Sequence, residues 1–323
     1  MSRIVGLGGG VGASRLWRAM AAVVDPADLT LVVNTGDDLW MHGLRVCPDL
    51  DTTLYALSGR QDTERGWGVR GDSFRCMDAL SALGHPVWFH LGDLDLATQL
   101  LRTGLLRDGV RLVEVTRRLA VAMGVRAQVL PMTEDEAGTF VETTDGRLMH
   151  YQEFLVLHRA LPEVRRVHHG GPADPAPEVL AAIAEADLIV LAPSNPVASL
   201  GPILAMPGMR EALRAAAAPV VAVSPVVTGV PITDPAELGR ARSRAALLAA
   251  IGVPHTATGV AGLHRDLCGR FVIDIADAAE GDAVRCLGPE AVTVPTLVHA
   301  GAPPEPLLDA VLTARAGRVR PPG

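Results

Sequence analysis

Short apolar runs recur along the chain, and each is too short for a helix but long enough for a buried strand. Helix-compatible sequence follows most of these runs, often after a small polar break. Alternation of buried strands with helices predicts an α/β fold, namely a Rossmann-like, doubly wound domain with a mostly parallel sheet. The clearest strand candidates are residues 3–7, 29–33, 87–91, 188–191 and 220–223.

Weaker periodic segments complete the prediction. Strands are expected at 126–130, 271–275 and 292–294, and helices at 54–57 onward, 73–83, 97–107, 111–123, 177–185, 234–251 and 306–315. Another helical segment, 201–217, is expected in two pieces because Pro207-Gly208 interrupts it. A β-hairpin is predicted at 140–143 and 148–151, because Asp145-Gly146 favours a tight turn.

The character of the chain changes after the first two strands and changes back near residue 172. We therefore predict a Rossmann-like domain formed by residues 1–50 and 172–323. The intervening residues 51–171 are predicted to form a mixed α/β insertion, which would build a ligand pocket against the strand ends.

Five of the predicted strands end in small, polar, helix-entering sequence: GGGVGAS, NTGDD, GDLD, PSNP and SP. In an open parallel sheet, ligands bind outside the carboxyl ends of the strands, near the switch in strand order. An ordinary β-to-α turn explains any one of these sequences alone. Together the five strand ends predict a nucleotide-sized site.

The most informative stretch is LTLVVNTGDDLWMHGLRVCPDLDTT, from residue 29 to residue 53. Asp37, Asp38, Asp49 and Asp51 place four carboxylates at the end of a buried strand. Such a group is costly unless positive charge lies among it. A divalent metal carrying a phosphate is the simplest source of that charge, and oxygen-only ligands favour Mg²⁺. Asp51 would equally suit a helix N-cap, since helical sequence follows it.

The first strand leads directly into the glycine-rich turn GGGVGAS, which opens a helix. Glycines let the backbone approach a phosphate, and the first N–H groups of the helix point towards it. The spacing differs from the strict dinucleotide fingerprint, and no acidic residue ends the second strand to hold a ribose. The same glycines would also suit a tight turn without a ligand.

Composition excludes several function classes. The chain has no lysine among its 29 basic residues, which excludes a P-loop and pyridoxal phosphate or Schiff-base chemistry. A net charge of −7 and 3% aromatic residues argue against nucleic acid as a partner. The four cysteines form no CxxC pair and are expected to be reduced thiols. With no membrane-length apolar run and no signal-peptide pattern, we expect a cytoplasmic protein that does not bind membranes.

Four motifs resemble one known family. They are GGGVGASRL, NTGDDLWMHGLRVCPDLDT, LGDLDLAT and LAPSNPVASLGPIL, and the similarity extends over nearly the whole chain. They resemble the 2-phospho-L-lactate transferase or phosphoenolpyruvate transferase family of coenzyme F420 biosynthesis. PDLDT and SNP in this order are specific to that family, whereas the related gluconeogenesis-factor group lacks PDLDT.

The resemblance implies a reaction. A guanosine diphosphate ester of a three-carbon acid (lactyl, enolpyruvyl or glyceryl) would donate its phospho-acid half to the ribityl hydroxyl of a deazaflavin, and GMP would leave. The family also implies Mg²⁺ and a homodimer. Asp38 corresponds to a metal ligand, and Asp51 to a metal ligand, hydroxyl-orienting group or general base. Asp37 and Asp49 are supporting candidates.

The same resemblance implies roles for six further residues. Gly9, Gly10 and Gly12 would hold phosphate, Ser194 and Asn195 the diphosphate or ribose, and Asp93 would border the deazaflavin pocket. One position departs from the family, because Leu94 stands where members often carry an arginine associated with the deazaflavin. The candidates to replace that arginine are Arg70, Arg75 and Arg102, and the candidates for ring stacking are Trp67 and Trp88.

Two rival functions stay open at this level. A nucleotide-sugar-binding regulator resembling the gluconeogenesis-factor group would bind a nucleotide without turnover. An NAD(P)-dependent oxidoreductase is disfavoured by the imperfect glycine fingerprint and the missing ribose-binding acid.

Overall fold

A seven-stranded parallel sheet forms the centre of the computed structural model, which describes residues 3–171, 173–298 and 304–316. Its strands lie in the order β12-β11-β10-β9-β1-β2-β5, and every neighbouring pair is parallel. The seven strands are β1 (Ile4–Gly8), β2 (Leu29–Val33), β5 (Gln128–Pro131), β9 (Leu188–Leu191), β10 (Val220–Val223), β11 (Arg270–Ile273) and β12 (Glu290–Thr293).

Helices cover both faces of this sheet because its strands are apolar on both sides. In β9, Leu188 and Val190 join one buried cluster, and Ile189 and Leu191 join the other. The cluster around Leu188 is completed by α1 (Gly10–Ala21), α2 (Pro48–Leu57), α5 (Leu112–Ala122) and α12 (Glu305–Leu312). The opposite cluster is completed by α6 (Pro177–Glu185), α7 (Leu200–Ala205), α8 (Met209–Ala215), α9 (Pro235–Ala250), α10 (Ala257–His264) and α11 (Gly281–Cys286).

The strand order reverses at the centre of the sheet. From β1 the chain moves outward to β2 and β5, and it later returns to β9 on the other side of β1 before moving outward again. The carboxyl ends of β1 and β9 therefore border a crevice, which is the place where open α/β sheets bind ligands.

The segment between β2 and β9 adds smaller elements. A two-stranded hairpin consists of β3 (Leu39–Met41) and β4 (Leu44–Val46), and a three-stranded antiparallel sheet has the order β7-β6-β8. The strands of that sheet are β6 (Thr139–Thr143), β7 (Leu148–His150) and β8 (Val164–His169), and the remaining helices are α3 (Arg75–Ala82) and α4 (Asp93–Arg107). Because β5 pairs with β2, part of the 51–171 segment belongs to the central sheet, and the domain division stays a prediction.

The predicted α/β fold class is confirmed, as is the hairpin at Asp145-Gly146. The strand predicted at 87–91 is wrong, because these residues form no strand: Leu91 shares a small core with Val46 and Met77, and Val87 and Phe89 pack against it. An apolar run of that length has no periodicity that separates a strand from a packed loop. The prediction missed β3, β4, β8, α10 and α11.

The helix expected from residue 54 begins earlier, at Pro48, with proline in the first turn. Asp51 is therefore inside the first turn of α2, and Cys47, not Asp51, occupies the cap position. Among the described residues, no helix is both long and apolar enough to cross a membrane.

Candidate active site

The crevice between β1 and β9 is closed at its base by the glycine turn. Ser194 Oγ accepts a hydrogen bond from the N–H of Gly9 at 3.1 Å and donates one to the Gly9 carbonyl at 2.9 Å. A Cβ on Gly9 would lie 2.0 Å from Asp49 Oδ2, and one on Gly12 would lie 2.2 Å from the Pro193 carbonyl. These two glycines are therefore required by close packing within the chain.

Four buried carboxylates surround this turn. Asp37 and Asp38 come from the loop after β2, and Asp49 and Asp51 come from the first turn of α2, each with 4–5% of its surface exposed. The sequence prediction that these four residues converge at the strand ends is consistent with this arrangement. They separate into two groups that have different partners.

Amides stabilise the first pair. The Nδ2 of Asn34 donates to Asp37 Oδ1 at 3.1 Å and to Asp49 Oδ2 at 2.9 Å, and Gln152 Nε2 donates to Asp37 Oδ2 at 3.0 Å. Burial and the neighbouring carboxylates raise the pKa of Asp37 well above its usual range. Burial raises the pKa of Asp49 to about 6, although the Asn34 amide and the N–H of Gly10 oppose that change. Because amides only partly compensate buried negative charge, this pair favours a proton or a bound cation.

Asp38 has an arginine partner. Arg45 Nη2 donates to Asp38 Oδ2 at 3.3 Å, while Arg45 Nη1 lies 3.3 Å from Glu136. Burial nevertheless raises the pKa of Asp38 to about 7, because desolvation outweighs the Arg45 charge and the adjoining Cys47 thiol. No nitrogen or oxygen donor of the described residues reaches Asp38 Oδ1, which is also buried. That oxygen is available to a ligand.

Asp51 is fully engaged by α4. Arg102 donates to both carboxylate oxygens, through Nη2 to Oδ1 and through Nη1 to Oδ2, the second bond measuring 3.1 Å. Gln99 Nε2 donates to Oδ2 at 2.8 Å, and Gln99 Oε1 accepts from Arg102 Nη1. The Arg102 side chain is 1% exposed and that of Asp51 is 6% exposed, so water screens this ion pair little. The orientation of Asp51 is therefore set by two side chains of α4.

The network continues along the inner face of α4. Gln99 Nε2 also donates to Asp95 Oδ1 at 3.1 Å, and the Tyr55 hydroxyl donates to the same oxygen at 2.6 Å. Burial, with a smaller contribution from Asp51, raises the pKa of Asp95 to about 6. The buried residues of α4 are thus polar, while Leu94, Leu100 and Leu101 on its outer face are 50–59% exposed.

The predicted site residues outside the carboxylate group are placed as follows. Ser194 joins the β9 loop to Gly9, and Asn195 Oδ1 accepts the N–H groups of Val197 and Ala198 at 3.0 and 3.1 Å. Both side chains therefore organise the crevice wall in this structure. Gly10 has a φ of +70°, which favours glycine. Ligand contacts of these residues stay predictions.

Asp93 has a structural role that the sequence did not indicate. Its carboxylate accepts the N–H groups of Arg75 and Cys76 at the start of α3, while Asp72 accepts those of Leu94 and Asp95 at the start of α4. Asp93 of α4 thus satisfies the first N–H groups of α3, and Asp72, which precedes α3, satisfies those of α4. The side chain of Leu94 is 54% exposed, so the family's arginine position points outward here.

A pocket of about 540 Å³ opens beside the carboxylates. Asp38, Arg45 and His150 contribute its polar wall, and Trp40, Trp88 and Phe140 are among its apolar lining residues. Of the proposed ring-stacking candidates, Trp88 lines this pocket, whereas Trp67 packs against Arg65 and Phe74. Asp38 therefore belongs both to the carboxylate group and to a pocket with aromatic walls.

Sequence reasoning missed several residues of this site, chiefly Asn34, Arg45 and Gln99. A signal existed for Gln99 and Arg102, because Asp95, Gln99 and Arg102 recur at helical spacing. A polar stripe on a helix normally faces solvent, so the pattern alone would place these three side chains on the outer surface of the protein.

A doubly wound sheet with a polar crevice at its switch point and buried carboxylates at its rim is the architecture of α/β enzymes that bind their ligands at that crevice. Comparison with known proteins makes this more specific. Residues 4–262 match the family described as 2-phospho-L-lactate transferase CofD. The chain belongs to this family.

Curated relatives agree with that assignment. The chain is 43% identical over 304 residues to a phosphoenolpyruvate transferase of Kitasatospora aureofaciens, covering 92% of each chain. It is 37% identical over 308 residues to a 2-phospho-L-lactate transferase of Methanosarcina mazei, covering 95% of this chain and 98% of the relative. The protein is therefore a transferase, which decides against a regulator without turnover and against an oxidoreductase.

A solved structure shares the fold. A member of the upf0052 family from Bacillus halodurans superimposes with a TM-score of 0.59 at 18% sequence identity, covering 98% of each chain. At this level of identity the similarity supports the architecture alone.

Proposed function

We propose that this transferase moves a phospho-three-carbon-acid group from its guanosine diphosphate ester to the ribityl hydroxyl of the deazaflavin 7,8-didemethyl-8-hydroxy-5-deazariboflavin, releasing GMP in coenzyme F420 biosynthesis. The acid would be lactyl, enolpyruvyl or glyceryl. Family membership and the names of the relatives support this reaction.

The observation that carries the proposal is the position of Asp38. It belongs to the carboxylate group that follows the strand ends, and it also lines a pocket whose walls include Trp40, Trp88 and Phe140. Aromatic side chains stack favourably on a planar ring system. A donor in the crevice and a deazaflavin in the pocket would meet at the carboxylates.

The carboxylates fit Mg²⁺ in part. The described residues contain no group of three or more His, Cys, Asp or Glu side chains with the arrangement of a metal site. Mg²⁺ is commonly held by one or two carboxylates, water and substrate phosphates, so a third carboxylate is unnecessary. Asp38 Oδ1 fits because it is buried and without a nitrogen or oxygen donor. Asp51 would join it only by sharing an oxygen that now accepts from Arg102 or Gln99.

When bound, Mg²⁺ would neutralise charge that develops on the transferred phosphoryl group. In the proposed reaction the acceptor hydroxyl oxygen forms a bond to the phosphorus that carries the acid, and the bridging P–O bond to GMP breaks. Asp51 would orient the hydroxyl or accept its proton, and Arg102 would hold Asp51 in position. Positioning of this kind supplies much of the catalysis in phosphoryl transfer.

Incubation with the deazaflavin, Mg²⁺ and each of the three guanylylated acids tests the proposal, with GMP and the phospho-acid product separated by chromatography. Wild-type protein should release GMP in equal amount to the new deazaflavin product. Asp51→Asn should retain binding of guanosine diphosphate and lose most turnover.

Asp282→Asn is the matched control, because the Asp282 side chain is 93% exposed on α11 and should leave turnover unchanged. Undiminished GMP release by Asp51→Asn would remove Asp51 from the mechanism. Absence of GMP release with all three donors would contradict the proposed reaction.

A further inference from the structure

The positive charge of Arg244 is only partly compensated, because burial outweighs the effect of the nearby Glu237 charge. It lies on α9, half-buried, and its Nε donates to His255 Nε2 at 3.2 Å. Among the residues that the structure describes, no aspartate or glutamate forms an ion pair with it, although most partly buried arginines here do. A guanidinium withdrawn from water without a counterion is unfavourable, and it attracts an anion.

Two further arginines share a single acid next to it. Arg15 Nη1 lies 2.7 Å from Glu237 Oε1, and Arg240 Nη2 lies 3.0 Å from the same oxygen. A Cβ built on Gly66 would be 3.8 Å from both Arg15 Nη2 and Arg240 Nη2, so the two guanidinium groups converge beneath that loop. With Arg244, three positive charges face one negative charge.

This group lies at the crevice. Arg15 is on α1, directly after the glycine turn. The inner face of α9 is linked to the β9 loop through Tyr151, whose hydroxyl is 3.0 Å from Ser243 Oγ and 3.5 Å from Asn195 Nδ2. The crevice therefore has excess carboxylates on the α2 side and excess arginines on the α1 and α9 side.

We propose that Arg15, Arg240 and Arg244 form an anion subsite that binds the diphosphate of a nucleoside diphosphate. The three guanidinium groups offer N–H donors suited to several phosphate oxygens. The inference rests on the guanosine diphosphate donor of the proposed function, and it assigns the groups that hold that donor's charge.

The test is a calorimetric titration with three probes: guanosine diphosphate, guanosine and inorganic diphosphate, each with Mg²⁺. Arg244→Gln should weaken binding of guanosine diphosphate at least about tenfold, because a charge-assisted contact to phosphate is lost. It should change guanosine binding less than about twofold, because guanosine carries no phosphate. Arg244→Lys, which keeps the charge but not the planar fork, should fall between.

Arg242→Gln is the matched control, since Arg242 lies on the same helix and is exposed. It should bind all three probes like wild type, and thermal unfolding should show every variant folded. Unchanged affinity of Arg244→Gln for guanosine diphosphate would overturn the subsite, and so would an equal loss of guanosine binding.

The same titrations distinguish a failure of the proposed function from a failure of the anion subsite. Arg244-dependent binding of inorganic diphosphate without binding of guanosine diphosphate would keep the anion subsite and reject the guanosine donor. Wild-type protein that binds neither phosphate probe would refute the subsite.

Discussion

The buried ion pair of Arg102 and Asp51 gives the sharpest stability prediction. Arg102→Met removes both hydrogen bonds to Asp51 and leaves that carboxylate with Gln99 alone. Breaking one partner of a buried pair typically costs about 3–5 kcal/mol, because an uncompensated charge stays in the interior. No discount for solvent applies, since the two side chains are 1% and 6% exposed. The loss is a large share of the roughly 5–15 kcal/mol that stabilises a domain.

The coupling between the two residues is the decisive quantity. Asp51→Leu alone leaves the Arg102 charge unpaired and should cost about as much as Arg102→Met. The double variant buries two apolar side chains, so its cost should be several kcal/mol less than the sum of the single costs, roughly 3 kcal/mol or more. Urea unfolding followed by circular dichroism measures all four proteins, provided their m-values agree.

Arg107→Met serves as control on the same helix, because Arg107 is exposed and, within the described part of the chain, donates only to the Gly43 carbonyl at 3.0 Å. It should cost about 0.5 kcal/mol or less. If the free energies of unfolding for Arg102→Met and Asp51→Leu add within about 0.5 kcal/mol in the double variant, the two side chains do not interact and the reasoning fails.

Three further outcomes are expected. Gly9→Ala should destabilise the protein by about 1–3 kcal/mol in thermal unfolding, because its Cβ would lie 2.0 Å from Asp49 Oδ2. Gly239→Ala is the control on α9: its Cβ would meet no atom within 4 Å, so this variant should be more stable by about 0.5–1 kcal/mol. Asp38→Asn should lower GMP release at saturating substrate by about a hundredfold or more with the fold retained, and near-normal turnover would exclude it as a metal ligand. Burial lowers the pKa of His264 from 6.5 to about 4, so the unfolded chain takes up a proton before the folded chain does as the pH falls through that interval. The free energy of unfolding, measured with urea at pH 7 and pH 4, should therefore lose about 3 kcal/mol from this group, and His264→Phe should lack that loss.

The central sheet could be predicted because its strands are buried on both faces and therefore appear as continuous apolar runs. The run at 87–91 has the same composition but packs on α3, and local sequence carries no information on which surface buries a run. The β3–β4 hairpin was missed because its turn is His42-Gly43, with φ values of +52° and +77°. The usual signatures of a two-residue hairpin turn are Asn-Gly, Asp-Gly and Gly-Gly, and His-Gly is not among them.

The sequence allowed the acidic residues of the candidate site to be predicted, but not the side chains that hydrogen-bond to them. Asp37, Asp38, Asp49 and Asp51 stand close together in sequence, directly after a buried strand. Arg102 is 51 residues away from Asp51, and its helix turns a polar face inward and exposes leucines outward. That orientation follows from the tertiary position of α4 against α2, which no local periodicity specifies.

The charges of the site argue for a ligand more strongly than any single residue does. Five buried carboxylates (Asp37, Asp38, Asp49, Asp51 and Asp95) face two buried arginines, Arg45 and Arg102, so full ionisation would leave an excess of three negative charges. Across the crevice, Arg15 and Arg240 share Glu237, and Arg244 forms no ion pair among the described residues. Each imbalance alone is unfavourable, because an excess of charge is costly where it is buried, as for the carboxylates, or half-buried, as for the arginines. The proposed metal–diphosphate ligand would bring positive charge to the acidic side and negative charge to the basic side, and would compensate both imbalances at once.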